Sequence, residues 1–156
     1  MKILVLADSH GDVMSMVNAA EREQPDMIFH LGDCWRDTEP LMERFPDTPF
    51  YRVPGNCDFR PNEPTEQFLW IEGRRILLCH GHTFGVKEGL WDAEEIVAER
   101  KLDAFLFGHT HRPLVDMRRG ALYFNPGSVG LGHPRTYGIL TIEHDGTMNA
   151  RTYRAD

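Results

Sequence analysis

The sequence predicts a mixed α/β domain in which parallel crossovers give way to hairpins, with two sheets packed face to face and helices outside. Three observations carry that prediction. Short continuous apolar runs such as residues 3–7 read as strands buried on both faces. Segments with helical spacing of apolar residues separate the first three of these runs. Later in the chain, paired strand-like runs bracket short turns that contain glycine.

Each element has a local reason. Asp12 offers a side-chain cap for a helix over residues 13–23, in which Val13, Met16, Val17 and Ala20 share a face. Pro25 ends it, and residues 27–31 form the next apolar run. A helix over 38–45 and a strand over 50–53 complete a βαβαβ opening, which requires right-handed crossovers and a parallel sheet. Residues 66–71 and 75–79 flank Glu72-Gly73-Arg74 as a hairpin. Asp92 is the expected cap of a helix through Arg100, followed by a strand over 104–107. Residues 114–117 and 122–125 flank Arg118-Arg119-Gly120, and residues 137–143 and 148–153 flank Asp145-Gly146. The second half is therefore expected to be mostly antiparallel.

The chain has 156 residues, 41% hydrophobic and 26% charged, which suits one domain over 1–156 with a core that needs no disulfide staples. Its formal charge of −7 argues against a surface built to neutralise duplex phosphates. Small phosphate esters stay compatible, because bound dications make a pocket locally positive. No run approaches the ~18 to 20 apolar residues of a membrane span. The chain opens directly on a strand-like run, and Cys34, Cys57 and Cys79 are scattered without a CxxC pair. Reduced thiols in a cytoplasm are the expectation. Cys34 and Cys79 are expected to be small buried or half-buried residues.

Chemistry-bearing residues cluster where the strands run out. Asp8-Ser9-His10, Gly32-Asp33, Gly55-Asn56-Cys57-Asp58, Cys79-His80-Gly81-His82 and Gly108-His109-Thr110-His111 follow in order, most of them behind an apolar run. Ligands in open α/β sheets bind outside the carboxyl ends of strands. The one-residue spacing in Asp8-x-His10 and His109-x-His111 lets two side chains reach one ion. Asp33 has two oxygens that can bridge ions, and Asn56 adds a neutral amide oxygen. This mixed oxygen and nitrogen set suits Mn, Fe, Co, Ni or Zn and exceeds the needs of one structural zinc. A Ser-His-Asp or Cys-His nucleophile is a weaker reading, because no third group is placed to orient a single base.

In order and spacing these motifs resemble the calcineurin-like metallophosphoesterase superfamily. Gly55-Asn56-Cys57-Asp58, Asn125-Pro126-Gly127-Ser128 and the short length are similar to the small bacterial and archaeal YfcE-type phosphodiesterases. The resemblance spans about residues 1–143 and implies a four-layer α/β/β/α sandwich of two mixed sheets with a dinuclear site at one edge. It implies that Asp8, His10, Asp33 and His111 hold one metal, and that Asp33, Asn56, His80 and His109 hold the other. Asp33, Asn56, His80 and His109 would then act in catalysis through the metals and a bridging hydroxide, with Mn²⁺ the expected ion. Two ions ~3.5 to 4 Å apart lower the pKa of a shared water and clamp phosphoryl oxygens during in-line attack.

The sequence departs from the wider pattern at Cys57, where many members carry histidine. A thiol of ordinary pKa ~8.5 is a poor general acid, so acidic leaving groups should be favoured. The same side chain also suits a pocket wall. Asp58 is expected to fix the Asn56 loop by hydrogen bonding. His82 either orients a ligand or faces solvent. Arg60, His133 and Arg135 either reach substrate phosphate or serve the surface. Trp35, Trp70 and Trp91 read as packing residues, with Trp35 near enough to Asp33 to line a pocket, and His30 and His144 receive no function. Competing activities are a phosphomonoesterase, a nuclease on short single strands, or a scaffold like a relative in eukaryotic retromer. Homo-oligomerisation stays open.

Overall fold

The computed structural model describes residues 1–59 and 61–156. Its strands are β1 (Lys2–Leu6), β2 (Met27–His30), β3 (Phe50–Arg52), β4 (Glu66–Ile71), β5 (Arg74–Cys79), β6 (Ala104–Leu106), β7 (Leu114–Arg118), β8 (Ala121–Asn125), β9 (Thr136–Ile142) and β10 (Met148–Arg154). The α-helices are α1 (Val13–Glu23), α2 (Thr38–Arg44) and α3 (Trp91–Arg100). One five-stranded sheet runs β10-β9-β1-β2-β3 and the other β4-β5-β6-β8-β7.

Side-chain alternation explains why the strands read as unbroken apolar runs. In β1, Ile3 and Val5 enter the core between the sheets, where Ile76 and Leu78 of β5 meet them. Leu4 and Leu6 point the other way and pack on Met16, Ala19 and Ala20 of α1. Leu77 and Cys79 likewise face away from the central core, toward Ala93 and Val97 of α3. Both faces of each sheet are covered, giving the four layers α/β/β/α. Fully burying one such aliphatic side chain contributes ~1.5–3 kcal/mol, so the three apolar layers hold the sheets in register.

The elements differ from expectation in instructive ways. Asp12 caps α1 by accepting the Ser15 N–H at 3.0 Å. The buried face of that helix is Met16, Ala19 and Ala20 with Ser15, while Val13 and Val17 are only half-buried. Small residues face the sheet because the helix lies close to it. Asp92 does not cap α3: Leu90 occupies that position without a side-chain bond, and Asp92 sits in the first turn, where its charge meets the helix dipole. The second sheet is less antiparallel than expected. β5 pairs with β6 and β6 with β8 in parallel, because α3 and the β7 strand carry the chain back to the same edge each time.

That topology positions the site. β1, β2 and β3 run parallel in one sheet, and β5, β6 and β8 in the other. Their carboxyl ends converge, so the loops after all six strands gather at one edge of the sandwich.

Candidate metal centre

The convergence is read in hydrogen bonds within and between the sheets. The Asp8 N–H donates to the Gly32 carbonyl at 2.9 Å, and the His109 N–H donates to Asp8 Oδ2 at 3.1 Å. Loops after β1, β2 and β6 are thereby locked together. The backbone is bent to aim the side chains: Asp8, His10, Asp33, His109 and His111 all have positive φ, between 44° and 69°. Non-glycine residues pay for that conformation, and such strain concentrates at functional sites. Close approach also explains Gly32, whose φ is +100°. A Cβ there would lie 2.7 Å from His80 Nδ1 and 2.8 Å from the Gly55 nitrogen.

Two overlapping groups of donor atoms result. Asp8, His10 and His111 form one, and Asp8, Asp33 and His80 the other, with the donor atoms of each group within 4.8 Å of one another. His111 Nε2 is 3.4 Å from Asp8 Oδ1, and His80 Nε2 is 3.4 Å from Asp33 Oδ1 and 3.9 Å from Asp8 Oδ1. His10 Nε2 lies 3.9 Å from Asp33 Oδ2, and His109 Nδ1 lies 3.2 Å from His80 Nε2. Asp8, Asp33 and His80 are buried. Asp8 Oδ1 and His10 Nε2 are buried with no hydrogen-bond partner. An unpaired carboxylate oxygen in such a position costs several kcal/mol, which a cation would remove.

Proton placement agrees with the donor set. His80 Nδ1 faces the Leu31 carbonyl at 2.8 Å, so Nδ1 carries the proton it donates and Nε2 turns toward the carboxylates. Burial lowers the pKa of His80, but Asp33 and Asp8 outweigh it and raise the value. Burial also raises that of Asp33, yet His80 and the Cys57 N–H hold it far below the ordinary carboxylate range. His109 is held down at about 4 by burial and by His80, and so stays neutral. His111 is raised chiefly by the Asp8 carboxylate, whose Oδ1 lies 3.4 Å from its Nε2. The carboxylates thus stabilise positive charge on the neighbouring imidazoles, a place that a divalent ion can take.

Around these atoms lies a supporting network. Asp58 Oδ2 accepts the Gly55 and Asp33 N–H groups at 2.7 and 3.0 Å, and Oδ1 accepts that of Trp35 at 3.0 Å. It ties the Asp33 loop as well as the Asn56 loop. Asn125 Nδ2 donates to the Gly108 carbonyl at 2.9 Å and Thr110 Oγ1 at 3.0 Å, and Ser128 Oγ donates to the Asp8 carbonyl at 2.8 Å. The Asn125-Pro126-Gly127-Ser128 segment is therefore a brace for both metal-facing loops.

His30, given no function above, belongs to the same scaffold. It is fully buried; Nδ1 accepts the Gly32 N–H at 3.2 Å, which leaves Nε2–H to donate to Ser9 Oγ at 3.1 Å. Ser9 Oγ in turn donates to Asp37 Oδ2 at 2.9 Å. The signal that would have found it is a histidine inside an apolar strand two residues before Gly32, where only a paired imidazole can be buried.

The remaining predicted residues separate. Asn56 and Cys57 are exposed at the mouth of the site, with the Cys57 N–H donating to Asp33 Oδ1 at 3.0 Å. Burial and the Asp33 charge push the Cys57 thiol up, so it stays protonated at neutral pH. The half-buried His82 ring lies beside the cluster, 5.5 Å from His80 and 6.2 Å from His109. Arg135 bonds Asp12 and Asp156 on the surface, and His144 pairs with Glu72. His133 is exposed. Arg60 lies outside the described residues. Cys34 is half-buried and Cys79 buried, as free thiols. Trp35 is buried behind Asp33 and stacks on Arg52 at 3.9 Å rather than lining a pocket. Trp70 and Trp91 are not packed inside: both are exposed, Trp70 under the Arg75 guanidinium.

Known proteins resemble this chain over nearly its whole length. The Bacillus subtilis probable metallophosphoesterase YsnB is 36% identical over 151 residues, covering 93% of this chain and 86% of that protein. The Escherichia coli phosphodiesterase YfcE is 37% identical over 168 residues, covering 90% and 87%. A conserved Streptococcus pneumoniae protein, described as a predicted phosphoesterase, superposes with a TM-score of 0.84 at 26% identity, covering 99% of this chain and 89% of that one. The calcineurin-like phosphoesterase superfamily domain matches residues 1–145. A strained edge of carboxylates and imidazoles at converging strand ends, a two-sheet sandwich and these relatives lead to one conclusion: the chain belongs to the calcineurin-like phosphoesterase superfamily, whose members use divalent metal ions.

Proposed function

We propose that residues 1–156 act as one domain, a phosphodiesterase that hydrolyses small phosphate esters with two divalent ions, Mn²⁺ foremost. Asp8, His10, Asp33 and His111 would hold one ion, and Asp33, Asn56, His80 and His109 the other. The observation that carries this reading is the pair of buried, unpartnered donors Asp8 Oδ1 and His10 Nε2 beside the converging Asp33, His80 and His111. When bound, such ions supply a water of lowered pKa and neutralise charge on the phosphoryl group.

The chain's own residues do the positioning. Asp33 stands between His10 and His80, and the Cys57 N–H and Asp58 fix its loop. The neutral His109 keeps a lone pair free for a ligand. Cys57, protonated and exposed, contributes bulk on the open side but little acid catalysis, so esters with acidic leaving groups are the better substrates. The acidic balance of the chain favours small esters over extended nucleic acid.

Hydrolysis of bis-p-nitrophenyl phosphate by Mn²⁺-loaded protein tests the reading, with the monoester and Asp33→Asn alongside. Diester cleavage that needs metal and disappears in the variant is expected. Two bound ions with no cleavage of either ester would overturn it in favour of a binding role.

A further inference from the structure

Beside the metal-facing loops lies an open groove of about 560 Å³. Its walls are the two segments that carry the sheet-two histidines. One follows β5 and leads from His80 to Leu90, and the other follows β6 and carries His109 and His111. Thr110, the residue between those two histidines, lines the groove, which sets the groove beside the loop that carries them. Val86, Leu90, Phe107 and Leu114 give it an apolar floor. Lys87 and Arg112 stand at its rim, and neither side chain forms an ion pair among the described residues.

The groove is stiff before any ligand arrives. Thr110 Oγ1 accepts the Arg112 N–H at 3.1 Å and Asn125 Nδ2 at 3.0 Å, so the second wall is pinned to β8. Phe107 and Val86 are buried in the layer beneath α3 and cannot swing aside. Its volume falls in the range of ~300–1,000 Å³ typical of small-molecule sites, far more than a bare phosphate needs.

We infer that this groove selects one arm of the substrate: an apolar, ring-sized group ending in an anion, a carboxylate or second phosphate held by Lys87 and Arg112. The inference rests on the phosphodiesterase reading above for its reaction and names the substrate class of that site. The apolar floor takes the ring, and the two unpaired cations take the terminal charge. An arm with a cationic end meets repulsion from both.

The test uses three p-nitrophenyl aryl phosphodiesters of similar size on Mn²⁺-loaded protein. Their second arm is 4-carboxyphenyl, 4-nitrophenyl or 4-(trimethylammonio)phenyl. Two partly exposed ion pairs predict a kcat/KM about five- to tenfold higher for the carboxylate than for the ammonium arm. The double variant Lys87→Ala/Arg112→Ala should erase that difference while leaving bis-p-nitrophenyl phosphate within about twofold, and the charge-conserving Lys87→Arg should retain it. Lys87→Glu should abolish the preference, and Lys87→Glu/Arg112→Glu should reverse it. Equal rates for all three arms, or equal losses on all three in the variants, would overturn the groove while the hydrolase reading stands. Calorimetry with the same compounds separates the two ideas. Absent turnover with Lys87- and Arg112-dependent carboxylate binding keeps the groove and removes the hydrolase. Absent turnover with charge-blind binding, or with no binding, removes both.

Discussion

Replacing Asp58 by alanine should be costly although Asp58 is in neither group of metal-facing donors. One carboxylate accepts three backbone N–H groups, from Gly55 at 2.7 Å and from Asp33 and Trp35 at 3.0 Å. Charge-assisted bonds of this kind contribute ~1.5–3 kcal/mol each when dry, and Asp58 is half-exposed, so about 1 kcal/mol each is the reasonable figure. Asp58→Ala should therefore destabilise the fold by roughly 3 kcal/mol, a fall of ~6–12 °C in Tm for a chain of this size. Asp58→Asn keeps one oxygen for Gly55 and Asp33 but turns an NH₂ toward the Trp35 N–H. About half the loss is expected, ~3–6 °C. Because the same bonds hold the Asp33 and Asn56 loops, Mn²⁺ affinity in Asp58→Ala should drop ~10- to 100-fold. Circular dichroism melts in EDTA and calorimetric Mn²⁺ titration read the two effects separately. A Tm within about 2 °C of the parent, together with unchanged affinity, would refute the claim that this carboxylate organises both loops.

Three further outcomes follow from the same geometry. Saturating the metal-free protein with Mn²⁺ at about 100 times Kd should add ~2.7 kcal/mol and raise Tm by ~5–11 °C, and a shift of equal size in an Asp8→Asn variant would contradict the donor set. Burial, aided by charge on His80, holds His30 at about 3 against an ordinary 6.5. A depressed folded value means that the unfolded chain takes the proton first, so stability is complete above about pH 6.5 and is lost as pH falls toward 3. His30→Gln should flatten urea-measured stability between pH 6.5 and 4.5, and parallel curves for the two proteins would exclude the buried neutral imidazole. Cys57→His should raise kcat most on diesters with poor leaving groups, and an unchanged dependence on leaving-group pKa would show that position 57 takes no part in departure.

Continuous apolar runs exposed β1, β2, β5 and β6, because both faces of these strands are covered and no polar alternation is needed. Turn chemistry exposed the hairpins: Glu72-Gly73 and Arg119-Gly120 adopt the positive φ angles that two-residue turns demand. The parallel pairing of β6 with β5 and β8 was hidden, since a strand of three residues states its burial but not its partners. The exposure of Trp70 and Trp91 was hidden too, because a side chain's chemistry does not say which face of an element meets solvent. His30 was missed for a related reason. Its side-chain partner Ser9 is distant in sequence and meets it only across the sheet, and Ser9 in turn donates to Asp37.

The sequence by itself determined the two-sheet α/β class, the order of Asp8, His10, Asp33, Asn56, His80, His109 and His111, and their places behind strands. Apolar periodicity and local turn preference are properties of neighbouring residues, and neighbouring residues are what a sequence displays. Only the tertiary structure decided that six parallel carboxyl ends share one edge, that Asp8 faces both His80 and His111, and that Asp58, Asn125 and His30 brace the loops. Those contacts join residues up to a hundred positions apart. They exist because the apolar layers fix the sheets face to face, and most polar groups at the shared edge then pair across it, while Asp8 Oδ1 and His10 Nε2 stay buried without a hydrogen-bond partner.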